Sequence, residues 1–360
     1  MKINPLRWLM ALLLTLVFAA GAAWMFRASL SVWIAQKVVS QRLASDLKSE
    51  LSDGLHVGLC GAGSPFPDDK RTGPCTLVMA GTQTLVFDAG NAATRNLGKM
   101  GVSHGQINAI FLTHFHSDHL DGLGELLLQR WVSTGNVRPA PVYGPPGVQR
   151  VVAGLREVYA QDESYRVAHH GEAIVPSSGF GGEARPFEVT AQRDLVIYQE
   201  GGVEVRAFAV DHAPVHPAVG YRISYKGRSV VLSGDTRPSD AVRLQSKGVD
   251  VLVHEALSEP LVRIIGDAAL KAGRPNVQKL MSDIVDYHSS PEQAAQVAQD
   301  AQVGYLLLSH IAPPLPIPGM DKAFLGDAGS IYKGPIRVGV DGDFISLPAG
   351  SKEIRVGKRF

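Results

Sequence analysis

The stretch Phe111–Gly122, FLTHFHSDHLDG, constrains this chain more than any other. The apolar residues Ile110, Phe111 and Leu112 lead into His114, His116, Asp118 and His119, four ligand-type side chains within six positions. Such a run reads as a buried strand, and alternation at its C-terminal end aims His114 and His116 the same way. The turn beyond it carries Asp118 and His119 to a second point. Imidazole nitrogens mixed with carboxylate oxygens suit zinc or a similar divalent ion. With only two cysteines, Cys60 and Cys75, a Cys-ligated zinc site and a disulfide-rich scaffold are both excluded.

Further ligand types close other predicted strands. Asp235 follows SVVLSG, and its carboxylate is able to bridge two cations; His310 ends LLLSH. Strand C-termini are where loops converge and function collects. The segment VDHAPVHPAVGYRI offers two histidines. His212 directly follows the strand Val205–Val210, whereas His216 stands between Val215 and Pro217 in an irregular loop.

The pattern His-x-His-x-Asp-His resembles the signature of the metallo-β-lactamase superfamily. SGDT (Ser233–Thr236), VHEA (Val253–Ala256), YHSSPEQAAQVAQDA (Tyr287–Ala301) and LLLSH (Leu306–His310) resemble successive motifs of its ribonuclease Z-like branch. That branch also holds a group of arylsulfatases. The resemblance covers Leu55 to Pro348 and implies an α/β fold, a four-layer αββα sandwich with two metals at one edge between the sheets. It implies His114, His116 and His212 on one metal, Asp118, His119 and His310 on the other, and Asp235 shared. It favours His212 over His216. The histidine-rich ligand set favours zinc, with manganese or iron as alternatives.

The same resemblance implies that Glu255 and His288 act together. A carboxylate keeps an imidazole protonated more of the time, which suits a general acid. His288 precedes Ser289-Ser290-Pro291, a capped helix start whose backbone N–H groups would add to an anion site. The expected reaction is attack by a metal-bridging hydroxide oriented by Asp118, with His288 protonating the leaving group. Tyr159, Asp162, Tyr165, His169 and His170 read either as a substrate wall or as a solvated loop with a helix end, and Ser289 as a further substrate contact.

The substrate expectation is a small phosphodiester or sulfate ester, hydrolysed as by an arylsulfatase or phosphodiesterase. The alternatives are a ribonuclease Z-type tRNA 3′-processing endonuclease and a lactonase or other carboxylic-ester hydrolase. Residues 147–200 hold five Arg, no Lys and eight acidic residues, the wrong balance for gripping a phosphate backbone. The formal net charge of +1 adds no field that would recruit nucleic acid. Nucleic acid is therefore an unfavoured partner, and a homodimer stays open.

Trp8–Phe26 is 19 residues without a charge, long enough for one membrane crossing, with a cleavable signal as the rival reading. Lys2 and Arg7 on one side nearly balance Arg27, Lys37 and Arg42 on the other. The short N-terminal tail is expected inside, which puts the catalytic unit outside the cytoplasm on a single-pass anchor. The expected divisions are an anchor at 1–27, an amphipathic linker helix at 28–53 (Ser29–Leu51), a catalytic domain at 54–350 and a tail at 351–360. Other predicted helices are 147–160, 239–247 and 291–300, and Gly-rich 177–186 reads as an exposed loop. Cys60 and Cys75 lie on neighbouring elements; they read as small buried apolar side chains, or as a disulfide if the domain is exported.

Overall fold

The computed structural model describes residues 5–44 and 46–360; Lys2 lies outside them. The chain forms two units, Met1–Ser49 and Glu50–Phe360. In the first, a helix over Pro5–Met25 exposes Leu9, Leu13, Leu16 and Phe18. Among the described residues it is the one helix long and apolar enough to cross a membrane. A second helix, Arg27–Ala44, exposes Leu30, Trp33, Ile34 and Val38, and a short turn Leu47–Glu50 follows. The single helix expected over Ser29–Leu51 is thus two pieces.

The second unit is built from short apolar strands: β1 (Gly54–Gly61), β2 (Cys75–Ala80), β3 (Gln83–Phe87), β4 (Ala109–Phe111), β5 (Ala140–Gly144) and β6 (Gly182–Pro186). There follow β7 (Leu195–Glu200), β8 (Val203–Ala209), β9 (Val219–Tyr225), β10 (Arg228–Leu232), β11 (Val251–Leu257), β12 (Tyr305–Ala312) and β13 (Ile336–Val338). The last two are β14 (Asp343–Pro348) and β15 (Arg355–Lys358). One sheet runs β15-β14-β1-β2-β3-β4-β5-β6 and the other β13-β12-β11-β10-β9-β8-β7. In each sheet hairpin-linked antiparallel strands meet a parallel run, from β3 to β6 and from β10 to β13. The parallel halves need helical crossovers, which explains the helices on the outer faces.

The sheets bury Leu55, Val57, Phe87, Phe111, Val205, Tyr221, Val253 and Leu307 against each other. On the outside of the second sheet, Val242 of helix Asp240–Gln245, Ala294 and Ala298 of Pro291–Asp300, and Phe324 of Met320–Leu325 pack on Val231, Leu252 and Leu308. Helices Ala93–Lys99, Leu123–Thr134 and Val148–His170 flank the first sheet. The four-layer αββα sandwich is as expected.

Four departures matter. Residues 351–360, expected as a tail, supply the edge strand β15, paired with β14. The segment 177–186, expected as an exposed loop, is a short turn followed by β6; Phe180, Gly181 and Gly182 are buried because Phe180 packs edge-on to Trp131. The helix beginning at Val148 runs to His170, longer than predicted. Helices Glu259–Lys271 and Pro275–Asp283, not predicted, follow β11. Cys60 and Cys75 are joined as a disulfide across β1 and β2, with Cα atoms 5.0 Å apart.

Candidate metal centre

The ligands arrive from the ends of strands of both sheets. β4 delivers the loop His114–His119, in which Ser117–His119 forms a single helical turn. β8 leads to His212 and β10 to Asp235. His310 lies inside β12, at a bulge: Glu255 pairs with Ser309 and Ala256 with Ile311, leaving His310 unpaired at φ +49°. A bulge re-aims one side chain without ending the strand, and here it turns the imidazole into the site. Glycines let the metal loop lie close to its supports. A Cβ at Gly90 would stand 2.3 Å from the carbonyl oxygen of Asp118, and one at Gly122 2.3 Å from that of Gly90.

Two groups of candidate ligands form, and a third, of Asp235, His288 and His310, overlaps them. His114, His116, His212 and Asp235 offer ligand atoms within 4.8 Å of one another, as do Asp118, His119 and His310. His114 Nε2 lies 3.0 Å from His116 Nδ1. Asp235 Oδ2 lies 3.2 Å from His119 Nε2 and from His310 Nε2, 3.8 Å from His114 Nε2 and 3.9 Å from His212 Nε2. It therefore reaches both groups, as a bridging carboxylate must. Asp118 Oδ2 is 3.3 Å from His310 Nε2. Donor atoms 2.0–2.1 Å from a tetrahedral zinc would stand about 3.3 Å apart, close to these spacings. His212 Nε2 is buried with no hydrogen-bond partner, a costly state unless a cation takes its lone pair. The residues present fit divalent metals. His216 is exposed in the loop between two cis prolyl bonds, and of the two histidines it is His212 that stands among the candidate ligands.

Outer contacts fix which nitrogen faces inward. Asp88 Oδ2 accepts from His119 Nδ1 at 2.9 Å, and the carbonyl of Tyr287 accepts from His212 Nδ1 at 2.9 Å. Asp88 also accepts from Thr113 N and Thr113 Oγ1, both at 2.8 Å. Such contacts hold each ring and raise its basicity. Asp88 was not singled out in the sequence, although it ends the strand run TLVF as the metal ligands end theirs. Burial works against both charges at the centre. Even so, the histidines around Asp235 hold its carboxyl well below the usual range, and Asp235 with Asp88 pushes His119 well up.

Glu255 and His288 stand beside this cage. His288 Nδ1 donates to Glu255 Oε1 at 3.1 Å, and the His288 ring stacks on His310 with centroids 5.3 Å apart. Burial alone would depress the His288 pKa, but the Glu255 carboxylate overcomes it and raises the value to about 9. The same Oε1 accepts from Ser289 N at 2.9 Å and Thr236 N at 3.2 Å. The helix start after His288 is capped as predicted: Ser290 Oγ accepts from Gln293 N, and Gln293 Oε1 from Ser290 N. Ser289 N, Ser290 N and Gln293 N are thus taken by Glu255 and the capping box rather than left for a substrate anion. Ser289 is likewise corrected: its hydroxyl is buried and donates to the Thr236 carbonyl at 2.7 Å.

The expected wall of Tyr159, Asp162, Tyr165, His169 and His170 lies on helix Val148–His170. That helix starts against Phe115, beside the metal loop, and rises about 1.5 Å per residue. Tyr159 packs with Trp131, Val175 and Phe180. Asp162 pairs with Arg166, Tyr165 is exposed, and His169 and His170 contact each other at the helix end. The structure does not bring this set to the cage.

The sandwich gathers two sets of candidate metal ligands at one edge, with the Asp235 carboxylate in reach of both. Residues 83–311 match the family described as a β-lactamase superfamily domain. Ribonuclease Z of Mycolicibacterium gilvum is 38% identical over 289 residues, 80% of this chain and 94% of that protein. Ribonuclease Z of Mycobacterium avium is 36% identical over 299 residues, 82% of this chain and 100% of that one. Among solved structures, the metallo-β-lactamase fold protein YhfI from Bacillus subtilis aligns with a TM-score of 0.58 at 20% identity, covering 82% of this chain and all of YhfI. Human tRNase Z, short form, aligns with a TM-score of 0.57 at 21% identity, covering 81% and 99%. The chain belongs to the metallo-β-lactamase superfamily, in its ribonuclease Z-like branch. These relatives run against the expectation that nucleic acid is an unfavoured partner, and they lend no support to the sulfate-ester reading.

Proposed function

We propose that this protein is a two-metal phosphodiesterase of the ribonuclease Z type, with zinc as its metal and RNA as its first candidate substrate. The observation that carries the reaction class is the Glu255–His288 pair stacked against the ligand His310. Relatives named ribonuclease Z, matched over most of their length, support the RNA phosphodiester.

Divalent ions held by His114, His116, His212, Asp118, His119, His310 and Asp235 would activate a water and neutralise charge on the attacked phosphoryl oxygens. Asp118, at the edge of the cage, orients that water and takes its proton as the new P–O bond forms. His288 carries a proton that Glu255 holds on the ring, and gives it to the departing oxygen as the old P–O bond breaks. Tethered to Glu255 through Nδ1, the imidazole has only Nε2 free for this transfer.

A second reading keeps the reaction and changes the substrate to a small phosphodiester. It is favoured by the disulfide, by the apolar helix Pro5–Met25 and by the acidic balance of residues 147–200. On this reading the chain is a single-pass membrane protein with its catalytic unit outside the cytoplasm. The test is cleavage of a precursor tRNA beside bis(4-nitrophenyl) phosphate by the zinc-loaded protein. Cleavage at the 3′ trailer supports the first reading; turnover of the small diester alone supports the second; inertness toward both overturns the reaction class.

A further inference from the structure

The pocket that opens on the cage has one wall of metal ligands and a second wall with a different chemistry. Phe66, Leu257, Ile284 and Tyr287 line it together with His116, Asp118, His288 and His310. The Tyr287 ring lies 4.9 Å from His212 and 4.7 Å from His288, centroid to centroid. Phe66 and Ile284 pack on the cluster of Leu257, Met281 and Ala312, yet both remain half-exposed, as does Tyr287. Two aromatic rings are thus left partly open to solvent beside the candidate metal ligands.

Phe66 is not held there loosely. It rides on the segment between β1 and β2, whose base is closed by the Cys60–Cys75 disulfide. Asp341 accepts from Ala62 N at 2.9 Å and Thr72 N at 3.0 Å, Ser64 Oγ donates to Ile311 O at 3.0 Å, and Arg71 Nε donates to Gly339 O at 2.8 Å. The loop is anchored at both ends and in its first half. Tyr287 is fixed through its own carbonyl on His212. The wall is therefore formed before any ligand arrives, and a preformed aromatic surface loses little entropy on binding.

We infer that Phe66 and Tyr287 form a stacking wall for a planar aromatic group carried by the ester, either an aryl ring or a nucleobase. This rests on the phosphodiester reading above and deepens it. Aromatic rings stack on such faces without hydrogen-bond readout, so the wall selects for aromaticity rather than for one base.

The test is calorimetric binding of three anions to the zinc-loaded full chain: phenylphosphonate, thymidine 5′-monophosphate and methylphosphonate. At least one aromatic ligand binds about tenfold more tightly than methylphosphonate, and Phe66→Ala and Tyr287→Leu each remove most of that advantage. Phe66→Leu, which keeps the apolar volume and loses the ring, should also lose it, with metal content unchanged as the check on folding. Preference for phenylphosphonate alone assigns the wall to an aryl ester; preference for the nucleotide alone assigns it to a base. Equal binding of all three, or an advantage that survives in the variants, overturns the inference. Turnover of phosphodiesters with no aromatic preference would remove the wall only, whereas absence of turnover would remove the functional reading.

Discussion

Single side chains divide here into those that hold metal and those that keep the holders in place. Removing His114, His212 or Asp235 as alanine should strip metal and reduce turnover below detection, read by metal analysis of the purified variant. His216→Ala should leave metal content unaltered, because that side chain is exposed in its loop. Asp88→Ala should keep the fold and lower metal affinity about 10–100-fold, since the carboxylate touches His119 rather than the metal. At the acid, His288→Ala should slow esters with poor leaving groups far more than 4-nitrophenyl esters; equal losses would deny it a proton-donating role. His56 offers a pH test away from the centre. Burial lowers its pKa in the folded chain, and Nε2 donates to Ser52 O at 2.9 Å. A depressed folded value makes its contribution complete above the unfolded pKa of about 6.5 and lost as pH falls through the folded one. The melting temperature should decline in acid, and His56→Gln should flatten that part of the profile.

Among elements, the β1–β2 connection is the one whose behaviour departs most from an ordinary loop. The disulfide closes a 15-residue separation, for which chain-entropy arguments give about 3 kcal/mol of stabilisation. Cys60→Ser with Cys75→Ser should lower the melting temperature, and reductant should do the same to the parent chain but not to the double variant. Sequence periodicity made most central strands legible because they alternate or run apolar between turn residues, unlike β6 and β15, and the helix Pro291–Asp300 was legible from its cap and proline. Helices Glu259–Lys271 and Pro275–Asp283 were not. Both are amphipathic, but they pack mainly on each other rather than on a sheet and leave Ile264, Leu270 and Leu280 exposed. The turn-and-strand segment 177–186 was misread because Gly179, Gly181 and Gly182 look like loop residues, whereas Gly182 pairs with Ala140 and Gly179 leaves space for the carbonyl of Asn136.

For the molecule as a whole, the boundary at Glu50 separates an apolar N-terminal unit from the catalytic one. A chain beginning at residue 46 should hydrolyse substrate at the parent rate while the full chain sediments with membranes; loss of turnover on truncation would show that the N-terminal unit serves the fold. Residue type and position by themselves marked His114, His116, Asp118, His119, Asp235 and His310 as candidate ligands, since a buried histidine or aspartate beside an apolar run is costly unless it is used; the choice of His212 and the Glu255–His288 pair came from the family resemblance. Tertiary structure alone decided what brings them to bear. The bulge at His310, the Asp88 and Tyr287 contacts, the pairing of Cys60 with Cys75 and the pocket that Phe66 and Tyr287 line together join residues separated along the chain, and only the tertiary packing sets those distances.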